Sequence, residues 1–178
     1  MRPRRNGFLG PGLDPGTPMA TSGRGPSQTF HVATVLPAPL EFAYGWCTDF
    51  RPDDARREKD SYERRILSRT ARRVVFENLT DDAHGGWWWA RFVVDLRPPN
   101  RWHAESVGSH RTLSLDYELT ARGPDRTRFD LRWRRWPTAI GPRRLSRKAE
   151  ERATTLAWRN FAAALGADFR ASRRGRRR

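Results

Sequence analysis

The sequence contains one cysteine, Cys47, among 178 residues, and this scarcity excludes two kinds of structure. No disulfide can form within the chain, and no zinc site can be built from cysteine thiolates. Apolar residues never run for the roughly 20 positions that a membrane-spanning helix needs. The N-terminus also lacks the apolar stretch of a secretory signal. We therefore expect a soluble, cytoplasmic protein.

Several motifs of enzymes and metal proteins are missing as well. The sequence has no glycine-rich phosphate loop, no Gly-x-Ser-x-Gly motif and no paired catalytic carboxylates. Its four histidines fall in different segments, and none has a metal-ligand spacing such as His-x-x-x-His. On this basis we predict no metal and no cofactor, and we assign no catalytic residue.

Lysine is nearly absent, since 33 of the 35 basic residues are arginine, and the formal net charge is +15. This charge is unevenly distributed: residues 1–28 carry +3, residues 29–169 carry +6 and residues 170–178 carry +6. Because the two ends hold most of the excess positive charge, the net charge does not indicate that residues 29–169 bind nucleic acid. Weak, unspecific binding of nucleic acid or an acidic partner through the Arg-rich tail is a further alternative.

The two ends also differ from the middle in composition. Residues 1–28 are rich in glycine and proline and almost free of apolar side chains, which predicts a disordered N-terminal arm. Residues 170–178 form a charged run that we predict to be a disordered tail. The stretch 29–169 has the length and apolar content of one domain.

Hydrophobic periodicity divides this domain into strands followed by one long helix. A first strand at 29–35 is followed by a short helix at 40–50, where Pro39 suits the first turn, and by a possible helical turn within 51–60. The period then changes to two, and short turns separate the segments, which favours antiparallel neighbours. These six further strands are predicted at 62–70, 73–80, 86–96, 101–107, 111–121 and 127–136.

The last segment, 144–169, has the three- and four-residue spacing of an amphipathic helix. Such a helix must bury its apolar face, and the strands before it offer the only large apolar surface. We therefore expect a curved sheet holding one helix. The predicted buried stripe consists of Leu145, Ala149, Ala153, Leu156, Ala157, Phe161, Ala164 and Leu165.

This order of elements resembles the START-like superfamily, also called SRPBCC, which includes polyketide cyclase/dehydrase-like proteins. The resemblance begins at residues 37–50, Pro-Ala-Pro-Leu-Glu-Phe-Ala-Tyr-Gly-Trp-Cys-Thr-Asp-Phe, which are similar to the opening helix of that superfamily, and it ends near Phe169. It implies an α+β helix-grip fold. In that fold a seven-stranded antiparallel sheet curls around the C-terminal helix, two short helices follow strand 1, and a cavity lies between sheet and helix.

The alternation of side chains along the strands suggests which residues line such a cavity. Trp88 shares a face with Phe92, and Tyr117 lies on a face with three leucines. Phe129, Leu131 and Trp133 share another face that continues to Arg135. The predicted ligand-binding residues are Trp88, Phe92, Trp102, His103, Tyr117, Trp133, Arg135 and Phe161.

For three of these residues, a purely structural role is favoured over a role in ligand binding or catalysis. The hydroxyl of Tyr117 can bond to backbone, and Arg135 can extend to solvent at the cavity rim, although either could orient a ligand. His103 and Glu105 lie on one side of a strand, as a surface ion pair or, alternatively, an acid–base pair. Trp87 and Trp89 point away from the helix, which fits a dimer surface, a membrane contact or cross-strand packing beneath arginine side chains.

The favoured function is binding of a hydrophobic or aromatic small molecule, lipid- or polyketide-like, in the cavity under the C-terminal helix. The alternative is a cyclase- or dehydratase-like enzyme in which Tyr117, His103 or Arg135 polarises a carbonyl group. The resemblance alone does not decide between them, because one fold supports many activities.

Overall fold

The computed structural model of the protein describes residues 26–58, 62–81 and 86–175. Three helices and seven strands occur in these ranges, and none of the helices is long and apolar enough to cross a membrane. The elements in chain order are β1 Gln28–Leu36, α1 Leu40–Cys47, α2 Asp54–Glu58, β2 Tyr62–Arg69, β3 Arg73–Asp81, β4 Trp87–Arg97, β5 Arg101–Gly108, β6 Arg111–Ala121, β7 Thr127–Pro137 and α3 Arg147–Gly175.

The seven strands form one antiparallel sheet in the order β1-β7-β6-β5-β4-β3-β2. Strands β2 to β7 therefore follow one another as a meander, and β1 closes the other end by pairing with β7. The long helix α3 packs against β1 and α2. This arrangement confirms the predicted helix-grip fold, with the two short helices between β1 and β2.

Alternation along the strands separates an inner face, toward α3, from an outer face. In β5, Trp102, Ala104 and Ser106 are buried, whereas Arg101 and the residues between them are more exposed. The strand pairing places Trp102 beside Tyr117 of β6, so apolar residues of neighbouring strands meet on the inner face. For β6 this agrees with the face that the sequence analysis assigned to Tyr117.

Helix α3 is longer than the sequence predicted. The apolar pattern indicated 144–169, but the helix begins at Arg147 and continues to Gly175. Residues 170–175, which we assigned to a disordered tail, are thus helical, and residues 176–178 lie outside the described residues. At the N-terminal end of the domain, β1 begins at Gln28, which we had assigned to the disordered arm. Residues 1–25 of that arm lie outside the described residues.

The rotation of α3 also differs from the prediction over its first half. Phe161 and Leu165 are buried as expected, but Ala153 is exposed and the side chain of Leu156 is 61% exposed. In this half, the side chains of Glu150, Thr154 and Trp158 face the sheet. None of these three residues belongs to the buried stripe predicted from the sequence. Ala157 borders the same space but remains exposed.

Helix α1 packs against the C-terminal half of α3. Its N-cap, Pro39, has an extended backbone, and the Pro39 carbonyl accepts the amide of Ala43. The Trp46 ring meets Phe161 edge to face, with centroids 4.5 Å apart, and its indole N–H donates to Asp168 at 2.9 Å. These contacts hold the second half of α3 against α1, so the space beneath the helix lies under its first half.

Candidate functional site

A cavity of about 260 Å³ lies between the inner face of the sheet and the first half of α3. Cavities of about 150 Å³ with apolar walls accommodate benzene, so this one is large enough for a two-ring skeleton. Aromatic side chains make up much of its wall. They are Phe50, Phe76, Phe92, Trp102, Tyr117, Trp133, Trp158 and Phe161.

Cross-strand pairing stacks several of these rings. Trp102 and Tyr117 are directly opposite on β5 and β6, and their rings are 4.8 Å apart and only 11° from parallel. Phe76 and Phe92, opposite on β3 and β4, are 4.9 Å apart at 15°. Adjacent strands therefore present aromatic side chains in ordered stacks, the kind of surface against which planar apolar molecules pack.

One part of the cavity wall is charged, where β6 begins beneath the first turn of α3. Arg111 and Glu150 both line it, and Arg111 Nη1 lies 3.7 Å from Glu150 Oε1. Burial lowers the pKa of the Arg111 guanidinium, while the Glu150 carboxylate acts in the opposite direction. The Arg111 side chain is 34% exposed, so this cation is only partly in contact with water.

Arg135 lies beside this pair on the adjacent strand β7. It faces Leu113 across the ladder, which places it diagonal to Arg111 on the inner face. The residue is 1% exposed, and Nη2 donates to the carbonyl of Pro142 at 2.7 Å. Its Nε and Nη1 atoms have no hydrogen-bond partner in the described part of the chain. Burial lowers the pKa of Arg135, and the positive charge of Arg111 lowers it further.

A second ion pair, between Asp54 of α2 and Arg64 of β2, also borders the cavity, at a separation of 2.5 Å. Arg64 donates to Asn78 Oδ1 at 3.0 Å and to the Tyr62 hydroxyl at 3.1 Å, and Asp54 accepts the backbone amide of Arg51. Burial raises the pKa of Asp54, and Arg64 counteracts that effect. Because these groups satisfy one another, the pair serves to fix α2 on β2 and β3.

Cys47 is buried at the cavity wall. Burial raises the pKa of its thiol, and the charges of Asp49 and Asp54 raise it further. A thiol held in its protonated form is a poor nucleophile and a poor metal ligand. No group of three His, Cys, Asp or Glu side chains within 26–58, 62–81 and 86–175 is arranged to hold a metal ion.

The structure brings together most of the residues that the sequence assigned to the site. The five that line the cavity are Phe92, Trp102, Tyr117, Trp133 and Phe161. Trp88 is on the expected face but outside the cavity wall, with the Arg111 guanidinium 5.2 Å from its ring centre. Arg135 lies behind the wall, and the expectation that it extends to solvent at the rim is wrong.

The structure places His103 on the outer face of the sheet. Its Nδ1 is 2.8 Å from Asp116 and its Nε2 is 3.0 Å from Glu105. These contacts support the surface ion pair that we favoured, and a role for His103 in the cavity is wrong because β5 turns this side chain outward. Trp87 and Trp89 are also on the outer face, and the Arg91 guanidinium lies 5.8 Å from the Trp89 ring, consistent with packing beneath arginine.

Several residues at the cavity were missed by the sequence analysis. Trp158 was omitted because the alanines and leucines of α3 suggested a different face. Arg111 could have been found, since strand parity places it with Leu113 and Tyr117 on the inner face. The sequence gave no reason to place Glu150 or Asp54 at the cavity, because acidic side chains are usually exposed.

Comparisons with known proteins agree with this architecture. A protein structure from Thermus thermophilus superposes with a TM-score of 0.67 at 16% identity, covering 79% of this chain and 99% of the other. A START superfamily protein from Mycobacterium smegmatis gives 0.61 at 13% identity, covering 80% and 97%. The protein has the START-like fold.

An enzyme also has this START-like fold. The Zhui aromatase/cyclase from a Streptomyces species superposes with a TM-score of 0.58 at 15% identity, covering 79% of this chain and 93% of its own. No protein-family profile matches the chain, and no curated protein matches it by sequence. At these identities the likeness establishes the fold and leaves the activity to be argued from the site.

Proposed function

We propose that the protein binds a hydrophobic or aromatic small molecule in the cavity between the sheet and α3. The observation that carries this proposal is the cavity of about 260 Å³ with stacked aromatic walls. A fully packed core would fill this space, since protein interiors rarely keep voids larger than a water molecule. Apolar walls with few polar groups are typical of small-molecule sites.

The START-like fold supports the same proposal. Proteins that share it include a START superfamily protein and an aromatase/cyclase. In this chain the cavity lies between the sheet and the C-terminal helix, the place that the resemblance to the START-like superfamily implies. The ligand class we propose is lipid-like or polyketide-like, with one or two rings or a comparable aliphatic skeleton.

The positions of the residues that the sequence suggested for catalysis favour binding. In the alternative, a cyclase- or dehydratase-like reaction, Tyr117, His103 or Arg135 would polarise a carbonyl group. Only Tyr117 lines the cavity, whereas His103 faces outward and Arg135 lies behind the wall. Cys47 supplies no nucleophile, because its pKa is raised.

Isothermal titration with 2-(2-naphthyl)ethanol, a neutral two-ring probe, tests the proposal. We expect saturable binding at one site. Two neighbouring threonines of α3 provide matched variants: Thr154 lines the cavity, and Thr155 lies on the other side of the helix. Thr154→Phe should fill the cavity and weaken binding by about tenfold or more, the effect of roughly 1.4 kcal/mol of lost contact.

Thr155→Phe adds the same side chain at the adjacent position and should leave binding unchanged. Absence of saturable binding by the unmodified protein would contradict the proposal. Equal weakening by both phenylalanine variants would place the binding site elsewhere.

A further inference from the structure

We propose that the ligand of this cavity carries a carboxylate that Arg111 binds, and that the buried charge of Arg135 behind the wall strengthens the attraction. This inference rests on the proposed function and names the chemical class of the ligand. The charges at the first turn of α3 are unbalanced, because two arginines, Arg111 and Arg135, lie near one carboxylate, that of Glu150.

The imbalance is confined to this part of the cavity. The other arginine on the wall, Arg64, is matched by Asp54, and its remaining hydrogen bonds go to Asn78 and Tyr62. Among the described residues, Glu150 is the one carboxylate beside Arg111 and Arg135, and its Oε1 lies 3.7 Å from Arg111 Nη1. One positive charge is therefore left uncompensated.

Burial makes this excess charge costly. This cost falls mainly on Arg135, which is 1% exposed, whereas the Arg111 side chain is 34% exposed and partly covered by the Trp88 ring. Unpaired charges inside a protein are strongly unfavourable, and anions or hydrogen-bond acceptors usually compensate them. Only one guanidinium nitrogen of Arg135 has an acceptor, the Pro142 carbonyl, while Nε and Nη1 have none in the described residues.

The geometry suits a planar anion. Arg111 and Arg135 lie diagonally on adjacent strands, so a carboxylate bound by Arg111 also experiences the positive charge of Arg135. Guanidinium groups bind carboxylates through paired hydrogen bonds, which fix orientation as well as charge. A carboxylate placed beside Arg111 would accept its N–H groups, balance the second charge and leave the apolar part of the ligand against the aromatic walls.

This arrangement predicts an amphipathic ligand bound in one orientation. Its acidic end lies toward the first turn of α3, and its apolar skeleton extends toward the Trp102–Tyr117 stack. A neutral compound of the same shape would fill the aromatic part but leave the arginines unpaired. The cavity should therefore distinguish an acid from the corresponding alcohol.

The test compares 2-naphthylacetic acid with 2-(2-naphthyl)ethanol by isothermal titration on the full chain at neutral pH. We expect the acid to bind about tenfold more tightly, the factor that a hydrogen bond to a charged group commonly contributes. Arg111→Gln should remove this preference and leave the affinity for the alcohol unchanged. Arg135→Gln should reduce the preference in the same way.

Two further variants keep the test independent of folding defects. Glu150→Gln removes the competing carboxylate and should strengthen binding of the acid alone, an effect that damage to the fold would not produce. Arg134→Gln is the control, since Arg134 is adjacent to Arg135 but exposed on the outer face. It should change neither affinity.

Equal affinities for acid and alcohol, with saturable binding of both, would overturn this inference and leave the proposed function standing. A preference for the acid that persists in Arg111→Gln, or no gain in Glu150→Gln, would also overturn it. If neither compound binds, both the inference and the proposed function are wrong.

Discussion

The indole of Trp158 stacks on the ring of Phe129, with centroids 3.8 Å apart and planes 29° from parallel. This contact joins the middle of α3 to β7 across the fold. Trp158 also meets Phe161 edge to face at 5.1 Å and lies near Tyr117 at 6.2 Å. It is therefore the side chain through which the helix is positioned over the cavity, and it forms part of the cavity wall.

Replacing Trp158 by alanine should lower the free energy of unfolding by about 3 kcal/mol, because a large aromatic side chain is removed and the cavity is enlarged. Urea denaturation measures the change. Trp87→Ala is the matched control, since Trp87 is 61% exposed on the outer face, and it should stay within about 0.5 kcal/mol of the unmodified protein. Equal effects of the two substitutions would contradict the stacking role.

A second comparison tests the rotation of α3. Phe161→Ala removes a buried ring and should destabilise the protein by about 3–5 kcal/mol. Leu156→Ala removes an exposed side chain and should cost less than about 0.5 kcal/mol. If Leu156→Ala costs as much as Phe161→Ala, the stripe predicted from the sequence faces the sheet after all.

The rotation of α3 shows what hydrophobic periodicity can and cannot predict. The pattern correctly predicted the helix and the burial of Phe161 and Leu165. In this part of the helix, α3 packs tightly against α1 and β1. In the first half the helix covers a cavity, so there is less packing to select apolar side chains, and Glu150 instead meets Arg111. Ala153 and Leu156, which the pattern favoured, are exposed there.

Strand pairing was easier to predict than the charged part of the site. Short turns between the strands leave antiparallel neighbours as the simplest arrangement, and the alternation of side chains then placed Phe92, Tyr117 and Trp133 on the inner face. The contact between Arg111 and Glu150 joins positions 39 residues apart in the sequence. It depends on where α3 begins above β6, which no local pattern encodes.

Two helical glycines should respond to alanine in opposite directions. A Cβ atom at Gly45 in α1 would have nothing within 4 Å, so Gly45→Ala should stabilise the protein by about 0.5–1 kcal/mol through helix propensity. At Gly166 in α3 a Cβ atom would lie 2.6 Å from Cγ of Pro37, so Gly166→Ala should destabilise it by about 1–3 kcal/mol. Thermal unfolding of both variants measures this, and stabilisation by Gly166→Ala would contradict the close approach of α3 to the segment after β1.

The free energy of unfolding at acidic pH should depend on Asp130. The Arg128 guanidinium, donating from Nε at 2.6 Å, lowers the pKa of this carboxyl, and His31 adds to the effect. Folding then favours the ionised form, so its contribution is present above the unfolded pKa of about 3.9 and is lost as the pH falls through the lower folded pKa. Asp130→Asn should lose less stability than the unmodified protein between about pH 5 and pH 2. A stability difference between the two proteins that is constant over this range would contradict the assignment.

The eight tryptophans allow the most direct test of ligand binding in the cavity, because each indole N–H gives a separate signal in a ¹H–¹⁵N spectrum. Trp102, Trp133 and Trp158 line the cavity, while Trp87 and Trp89 lie on the outer face. The signals are assigned by single Trp→Phe substitutions and followed during titration with 2-(2-naphthyl)ethanol. We expect the three cavity signals to shift together along one saturation curve while those of Trp87 and Trp89 stay in place. Shifts confined to Trp87 and Trp89, or no shift of the cavity signals at saturating probe, would contradict binding in the cavity.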